Sequence, residues 1–255
     1  MTPASAVALF VVSVIGGVLN SLVGGGTFVV FPTLLLTGVP AIQANATNTT
    51  ALWPGVLFSL FAWRREAATA PYKALLAVTS LVGGAAGALL LLKTPPVLFE
   101  RSVPFLLLAA TLMFTLNPLL AKRLSAVEGP ATISRTRLAA TTGLVLLIAV
   151  YGGYFGGGIG LLILAALGLL GLTDYHHMNA FRLILSCCAN AVAVAVFALA
   201  GAVYWPAASL MLVGAIVGGY GGARVMRRIP APILRRLVIG FGLAMSAYFF
   251  YRQWG

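Results

Sequence analysis

The sequence predicts an all-α, polytopic integral membrane protein built as two inverted repeats, with about 8–10 membrane segments and a glycine-broken or re-entrant helix opening each half. Three observations predict it: the scarcity of charge, a duplicated glycine pattern, and opposite charge bias in corresponding loops. Hydrophobic residues make up 61% of the chain and charged residues 8%, with a mean hydropathy of +1.04. Water-soluble domains carry about 25% charged residues, so an ordinary soluble globule is excluded. Apolar runs long enough to cross a ~30 Å hydrocarbon core recur from end to end, without the alternation of a barrel strand.

Gly83-Gly84-Ala85-Ala86-Gly87-Ala88 aligns without gaps to Gly218-Gly219-Tyr220-Gly221-Gly222-Ala223, and the match continues through Lys93/Arg228, Pro95/Pro230 and Arg101/Arg236. Upstream, Gly24-Gly25-Gly26 and Gly156-Gly157-Gly158 each precede an Asn-Ala pair, Asn45-Ala46 and Asn179-Ala180. The apolar segments are read as 4–22, 27–37, 44–63, 72–92 and 102–120, then 138–155, 159–171, 177–200, 204–224 and 233–251. The amino terminus lacks a basic n-region and a cleavage site, so the first of these is expected to be retained. Segments 27–37 and 159–171 are too short to span comfortably and read as half-helices entering from a glycine break. Residues 121–137 form the longest polar stretch, which divides the chain into a first repeat (1–120), a linker and a second repeat (138–255).

Charge sets the orientation. The net charge is +12, but the bases sit in short clusters between apolar runs, which signals topology and argues against a nucleic-acid partner. Loop 64–73 (Arg64, Arg65, Glu66, Lys73) and the linker (Lys122, Arg123, Arg135, Arg137) are basic and are expected on the cytoplasmic side. Segment 93–101 then lies outside, while its counterpart 224–236 carries five arginines and no acid and belongs inside. The counterpart of loop 64–73, residues 201–206, has no charge. Opposite bias in matched loops is the mark of inverted repeats, and it requires the glycine-broken first segment to enter and return on one side.

Candidate binding residues follow from the breaks. Triple glycine lets the backbone unwind, and the amides freed at the following half-helix form an anion site reinforced by the helix dipole. Close helix packing is the alternative use of such glycines, and it is the reading adopted for Gly83–Gly87 and Gly218–Gly222. The substrate-binding set is Gly24, Gly25, Gly26, Asn45, Thr47, Asn48, Gly156, Gly157, Gly158, Tyr154, Asn179 and Arg182. Arg182 matches Asn48 in register, and a cation at mid-depth costs at least ~2.5–3.5 kcal/mol without a partner or an anionic ligand. Snorkelling from near a helix end is its alternative. Tyr151 flanks the second break, and Asn190, one helical face on from Ser186, is a weaker pore-lining candidate. Asp174, His176 and His177 read as a solvated loop with an N-cap, and no grouping has metal-site spacing.

These residues resemble the sulfite exporter TauE/SafE family of membrane permeases. The first-half features are Gly16-Gly17, Asn20-Ser21-Leu22 and Gly24-Gly25-Gly26, leading to Pro32 and Ala44-Asn45-Ala46-Thr47-Asn48. The second half carries Tyr151-Gly-Gly-Tyr154-Phe-Gly-Gly-Gly158, Asn179-Ala180-Phe181-Arg182 and Gly201-Ala-Val-Tyr-Trp205, then Gly214, Gly218-Gly219, Gly222-Ala223-Arg224, Pro230 and Arg235-Arg236. The family usually shows lysine where this chain has Arg182, which keeps the charge. The resemblance implies transport of small anions, especially sulfite, sulfonates or related organic acids, across the bacterial inner membrane. The expected partners are a small anion, a coupling proton or sodium ion and the lipid bilayer. There is no nucleotide-binding signature, no cofactor is expected, and transport is secondary or facilitated rather than enzymatic. Two rivals are an anion channel and a membrane-embedded thiol oxidoreductase using Cys187 and Cys188, whose adjacent positions on a helix disfavour their meeting.

Overall fold

Ten helices account for the regular structure of the computed structural model, which describes residues 2–22, 24–62, 72–125, 134–168, 170, 172, 175–225 and 231–254. They are α1 (Pro3–Leu22), α2 (Thr27–Leu36), α3 (Ala41–Ala62), α4 (Lys73–Lys93), α5 (Pro96–Ser125), α6 (Arg135–Tyr154), α7 (Ile159–Gly168), α8 (Tyr175–Leu199), α9 (Trp205–Val225) and α10 (Ala231–Trp254). Among the described residues there are no strands, and five of the helices are long and apolar enough to cross a membrane.

Several boundaries differ from the sequence reading. Segment 93–101 was expected as a loop, but only Thr94 and Pro95 separate α4 from α5. Pro96 sits at the first helical position, where its missing N–H costs nothing, so the charges of Glu100 and Arg101 ride on a helix end. Helix α5 runs to Ser125, and Ser134 caps α6 by accepting from the Arg137 N–H at 3.2 Å. Loop residues 64–71, 126–133 and 226–230, with Arg64, Arg65, Glu66, Arg227 and Arg228, lie outside the described residues, as does Asp174.

The two short helices fold back. In α1–α2, Gly26 lies against the Gly16 carbonyl and Asn20, while Val30 packs on Gly16, so α2 returns antiparallel along α1. Gly24 makes the turn possible with φ +72°, a conformation costly for any residue with a Cβ. In the second half Gly156 and Gly158 adopt φ +77°, and α7 turns back with Ile159 against Gly152.

Each half packs chiefly against the other. Helix α1 lies on α9, and its counterpart α6 lies on α4. Helix α4 also packs on α8, as α9 does on α3; α5 meets α10, and α3 meets α8. Glycine permits the closest of these approaches: Gly83 faces Leu146, Ala149 and Val150, and Gly87 faces Val150 and Tyr154, so α4 and α6 run parallel. Across α1–α9, Gly214 meets Phe10 and Ser13 and Gly218 meets the Val14 carbonyl, again in parallel. Thr2 and Ser5 before and in α1, the α2–α3 turn and Tyr204 ahead of α9 border one depression. The same turn borders another with Glu100 of α5 and Arg252 of α10, which places these ends on one side of the bundle. Beneath them an aromatic cluster fills the interior, with edge-to-face pairs Phe28–Phe114, Phe31–Phe155 and Phe99–Tyr154.

Close approach at glycine predicts a sharp contrast between positions. Gly218→Ala drives a methyl into the α1 backbone and should lower the thermal midpoint in detergent by several degrees, corresponding to about 1–3 kcal/mol of overpacking. Gly143→Ala meets nothing within 4 Å and should leave the midpoint unchanged or raise it. Equal effects at the two positions would contradict the packing described.

Candidate functional site

Both helix breaks open onto one small polar hollow, about 30 Å³ in volume. Asn20 of α1, Gly24 and Thr27 at the first break, and Gly156, Ile159 and Gly160 at the second contribute to its wall. Helix α3 supplies Thr49, Leu52, Trp53 and Val56, and α8 supplies Arg182, Leu183, Ser186 and Asn190. These positions recur every three or four residues, so each helix presents one face. The two faces also match in the Asn-Ala register, Thr49 with Leu183, Leu52 with Ser186 and Val56 with Asn190. The hollow is therefore made of corresponding pieces of the two halves, with unlike chemistry: the α3 side is mostly apolar and the α8 side polar and cationic.

Arg182 is the dominant charge. It lies well inside α8 and is 3% exposed, so its guanidinium is held in the interior and does not snorkel to an interface. The site is shaped around it. A Cβ added at Gly24 would lie 2.9 Å from Arg182 Nη1, and one at Gly160 would lie 2.7 Å from the same atom. Glycine at these two places makes the room that the guanidinium occupies. No aspartate or glutamate is among the described residues lining the hollow.

Helix α7 adds backbone donors. Leu161 and Leu162 both donate to the Gly158 carbonyl, at 3.0 and 3.4 Å, leaving the N–H groups of Ile159 and Gly160 without a backbone acceptor among the described residues. Orphan amides at a helix amino terminus carry partial positive charge and attract anions. Ser186 Oγ is buried with no hydrogen-bond partner among the described residues. An arginine, two asparagine amides, the Thr27 and Ser186 hydroxyls and a helix amino terminus form a donor-rich chamber suited to a compact oxyanion.

The structure brings three of the twelve sequence candidates, Gly24, Gly156 and Arg182, onto this wall. The others are placed around it. Gly25 is packed against Phe28, Phe114 and Val238, and Gly26 against α1. Gly157 and Gly158 lie against Ala110 and neighbouring aromatic rings. Asn45 Nδ2 donates to the Tyr154 carbonyl at 3.0 Å, and the Tyr154 ring stacks on Phe99. Thr47 Oγ1 accepts from the Tyr204 N–H at 2.9 Å, and Asn48 Nδ2 donates to Thr27 Oγ1 at 3.3 Å. Asn179 is buried one turn before Arg182, outside the lining. These side chains join elements across the chamber's rim, because an asparagine or threonine buried among helices must find a partner. Tyr151 has a similar place, its hydroxyl donating to the Gly157 carbonyl at 2.8 Å.

Sequence reasoning passed over Thr27, Thr49, Leu52, Trp53, Val56, Ile159, Gly160 and Leu183. The available signal was the helical spacing from Thr49 and from Arg182, but apolar members of such a stripe look like ordinary packing. Cys187 and Cys188 are free thiols; Cys187 packs with Val56 and Leu183, and its carbonyl accepts from Trp53 Nε1 at 3.2 Å.

Comparison with known proteins places this geometry in context. Residues 9–249 match the family described as Sulfite exporter TauE/SafE. A "Probable membrane transporter protein" of Haemophilus influenzae is 28% identical over 252 residues, covering 96% of this chain and 94% of the relative. "Probable membrane transporter protein ORF9" of Sinorhizobium sp. is 31% identical, with 93% and 89% covered. "Probable membrane transporter protein YfcA" of Escherichia coli K12 is 25% identical, with 97% and 90% covered. No solved structure matches the chain.

Gly160→Ala isolates the role of the glycine cradle. The clash falls on the far end of a flexible side chain, so the variant should fold with a loss of stability within about 1 kcal/mol. It should nevertheless displace the guanidinium and weaken the thermal stabilisation given by small oxyanions such as sulfite. Unchanged oxyanion stabilisation would show that the guanidinium position does not matter.

Proposed function

We propose that this chain, which belongs to the sulfite exporter TauE/SafE family, is a secondary or facilitated carrier of small anions, with sulfur-containing oxyanions or organosulfonates such as sulfite as substrate. Membrane transport is the activity the family and its relatives support. The observation that carries the anion reading is Arg182, buried between two helix breaks in a hollow whose described lining has no carboxylate. A guanidinium keeps its charge wherever it is buried, and its planar fork of N–H donors matches the oxygens of a small oxyanion. The small volume favours a compact solute. Leu52, Trp53 and Val56 of α3 give an apolar wall suited to the carbon side of a sulfonate, while α8 and α7 supply the donors.

The path across the membrane follows from the repeats, which we read as inverted. Parallel packing of α1 on α9 and of α4 on α6, with the helix ends gathered at the α2–α3 turn, fits halves whose matching helices run in opposite directions. Loops 64–73, 121–137 and 224–236 then share the other side, which their basic charge assigns to the cytoplasm of a bacterial inner membrane. A site made of matched breaks lies where two such halves rock against each other, giving alternating access. On the side of the α2–α3 turn, the Asn45–Tyr154 and Thr47–Tyr204 hydrogen bonds and the Phe31–Phe155 contact close the hollow in this conformation. Opening to that side requires these three ties between the halves to part.

Arg182→Ala should reduce sulfite transport in proteoliposomes by at least about tenfold, the worth of one charge-assisted hydrogen bond, with expression and folding retained. Arg182→Lys should keep part of the activity. Full transport by Arg182→Ala would remove this residue from the site. Single cysteines at Tyr72 and Ala202, in a background with Cys187 and Cys188 replaced by serine, should react with a membrane-impermeant maleimide from opposite sides. Labelling of both from one side would contradict the inverted arrangement, and loss of transport in the serine background itself would favour thiol chemistry.

A further inference from the structure

The second helix break has two poles, and the anion site uses only the amino-terminal one. At the other, α6 ends with Phe155 and Gly156 both donating to the Tyr151 carbonyl, at 2.9 and 3.4 Å. The carbonyls of Gly152 and Gly153, both buried, are left without a backbone donor among the described residues. Asn45 faces this end. Its Nδ2 donates to the Tyr154 carbonyl, which can only accept, so the amide orientation is fixed and Oδ1 remains an acceptor. That oxygen belongs to a fully buried residue (0% exposed) and has no partner among the described residues. Asn48, three residues on and 1% exposed, has an Oδ1 in the same condition. Thr49 donates its hydroxyl proton to the Asn45 carbonyl at 3.0 Å, which leaves its oxygen as a further acceptor. A methyl built on Gly156 would lie 3.3 Å from the Gly152 oxygen and 3.8 Å from Thr49 Oγ1, so these two oxygens flank one point, and Asn45 adjoins them through its bonds to the Tyr154 carbonyl and from Thr49 Oγ1.

We propose that this cluster binds a monovalent alkali-metal cation, with Asn45 Oδ1, the Gly152 carbonyl and Thr49 Oγ1 as ligands and Asn48 Oδ1 adjoining. The donor set is all oxygen, as hard cations require, and none of it is charged, whereas divalent ions recruit carboxylates. The carboxyl end of α6 contributes negative partial charge, and broken-helix carboxyl ends are where membrane carriers hold such ions. A proton does not fit, because none of the contributing amide, hydroxyl or carbonyl groups titrates. Buried acceptors without donors are costly, and a cation satisfies several at once.

Thr49 and Gly156 also line the anion hollow, so the two sites share a wall. Arg182 neutralises one negative charge, and a divalent oxyanion leaves a second that the neighbouring cation balances. This coupling rests on the anion-transport reading; binding of the cation does not.

The test therefore omits substrate. Purified full-length protein is melted in sodium gluconate, potassium gluconate and N-methylglucamine gluconate at equal ionic strength. Sodium or potassium should raise the midpoint saturably, by about 2–5 °C over N-methylglucamine. Asn45→Ala should remove the rise, and Arg182→Ala should keep it. Should Asn45→Ala not fold, Thr49→Val should raise the half-saturating concentration by about tenfold, the cost of one lost ligand. Identical midpoints in all three salts, or a rise that survives Asn45→Ala or is unchanged in Thr49→Val, would overturn the site and show that the acceptors hold water. A cation-dependent midpoint in a protein that transports no oxyanion would sink the transport reading alone.

Discussion

A permanently protonated guanidinium inside a hydrocarbon layer is the constraint around which the rest is arranged. Arginine cannot escape its charge by losing a proton, so the surroundings must supply dipoles and space for it. Arg182 is accommodated by two glycines that leave volume for it, at Gly24 and Gly160, and by a chamber lined with amides and hydroxyls. The same glycine-rich stretches that make this space also break the helices. Breaking a helix inside a membrane is itself costly, because it frees backbone groups that lipid cannot satisfy. Here the freed groups are kept inside protein, where donors gather at α7 and acceptors at the end of α6.

Holding two broken helices in register needs a rigid frame, and the small-residue helix faces provide it. Among lipid tails there is little hydrophobic drive for helices to associate, so van der Waals contact between closely approaching backbones takes its place. The contacts of Gly83, Gly87, Gly214 and Gly218 lie in the α4–α6 and α1–α9 pairs, each joining the opening helix of one half to the fourth helix of the other. This interlocking places α3 and α8 side by side with their matched faces turned to the same hollow. The two faces differ in chemistry: where α8 carries Arg182, Ser186 and Asn190, the positions of α3 in the same Asn-Ala register are Asn48, Leu52 and Val56.

Much of this architecture was legible because it is written in features that survive without side-chain contacts. Scarce charge, runs of membrane length and twin triple glycines led to an all-helical bundle with two breaks, and Arg182 stood out as a lone cation in a long uncharged stretch. The site wall was less legible for a physical reason. Asn45, Thr47 and Asn48 are polar and close to the break, and each also makes a hydrogen bond between separate elements that no sequence spacing shows. Leu52, Trp53 and Val56 are apolar and look like core, yet they complete the chamber. Polarity marks a candidate, and only packing decides which way a face points. Helix ends are hard to read near proline and charge, as at Pro96, because Glu100 and Arg101 lie within the helix that begins there.

A hollow with a positive pole at its centre, an acceptor-lined niche beside it and ties that close one face has the parts an ion-coupled carrier needs, on a chain of 255 residues. The claim on which these parts depend is that a small oxyanion sits between Arg182 and the amino end of α7. A cryo-electron microscopy structure of the protein with sulfite present tests it most directly. Density for the anion within hydrogen-bonding distance of the Arg182 guanidinium and the Ile159 and Gly160 amides is the result predicted. Density elsewhere, with that hollow occupied by side chains or α6 and α7 joined as one continuous rod, would contradict it.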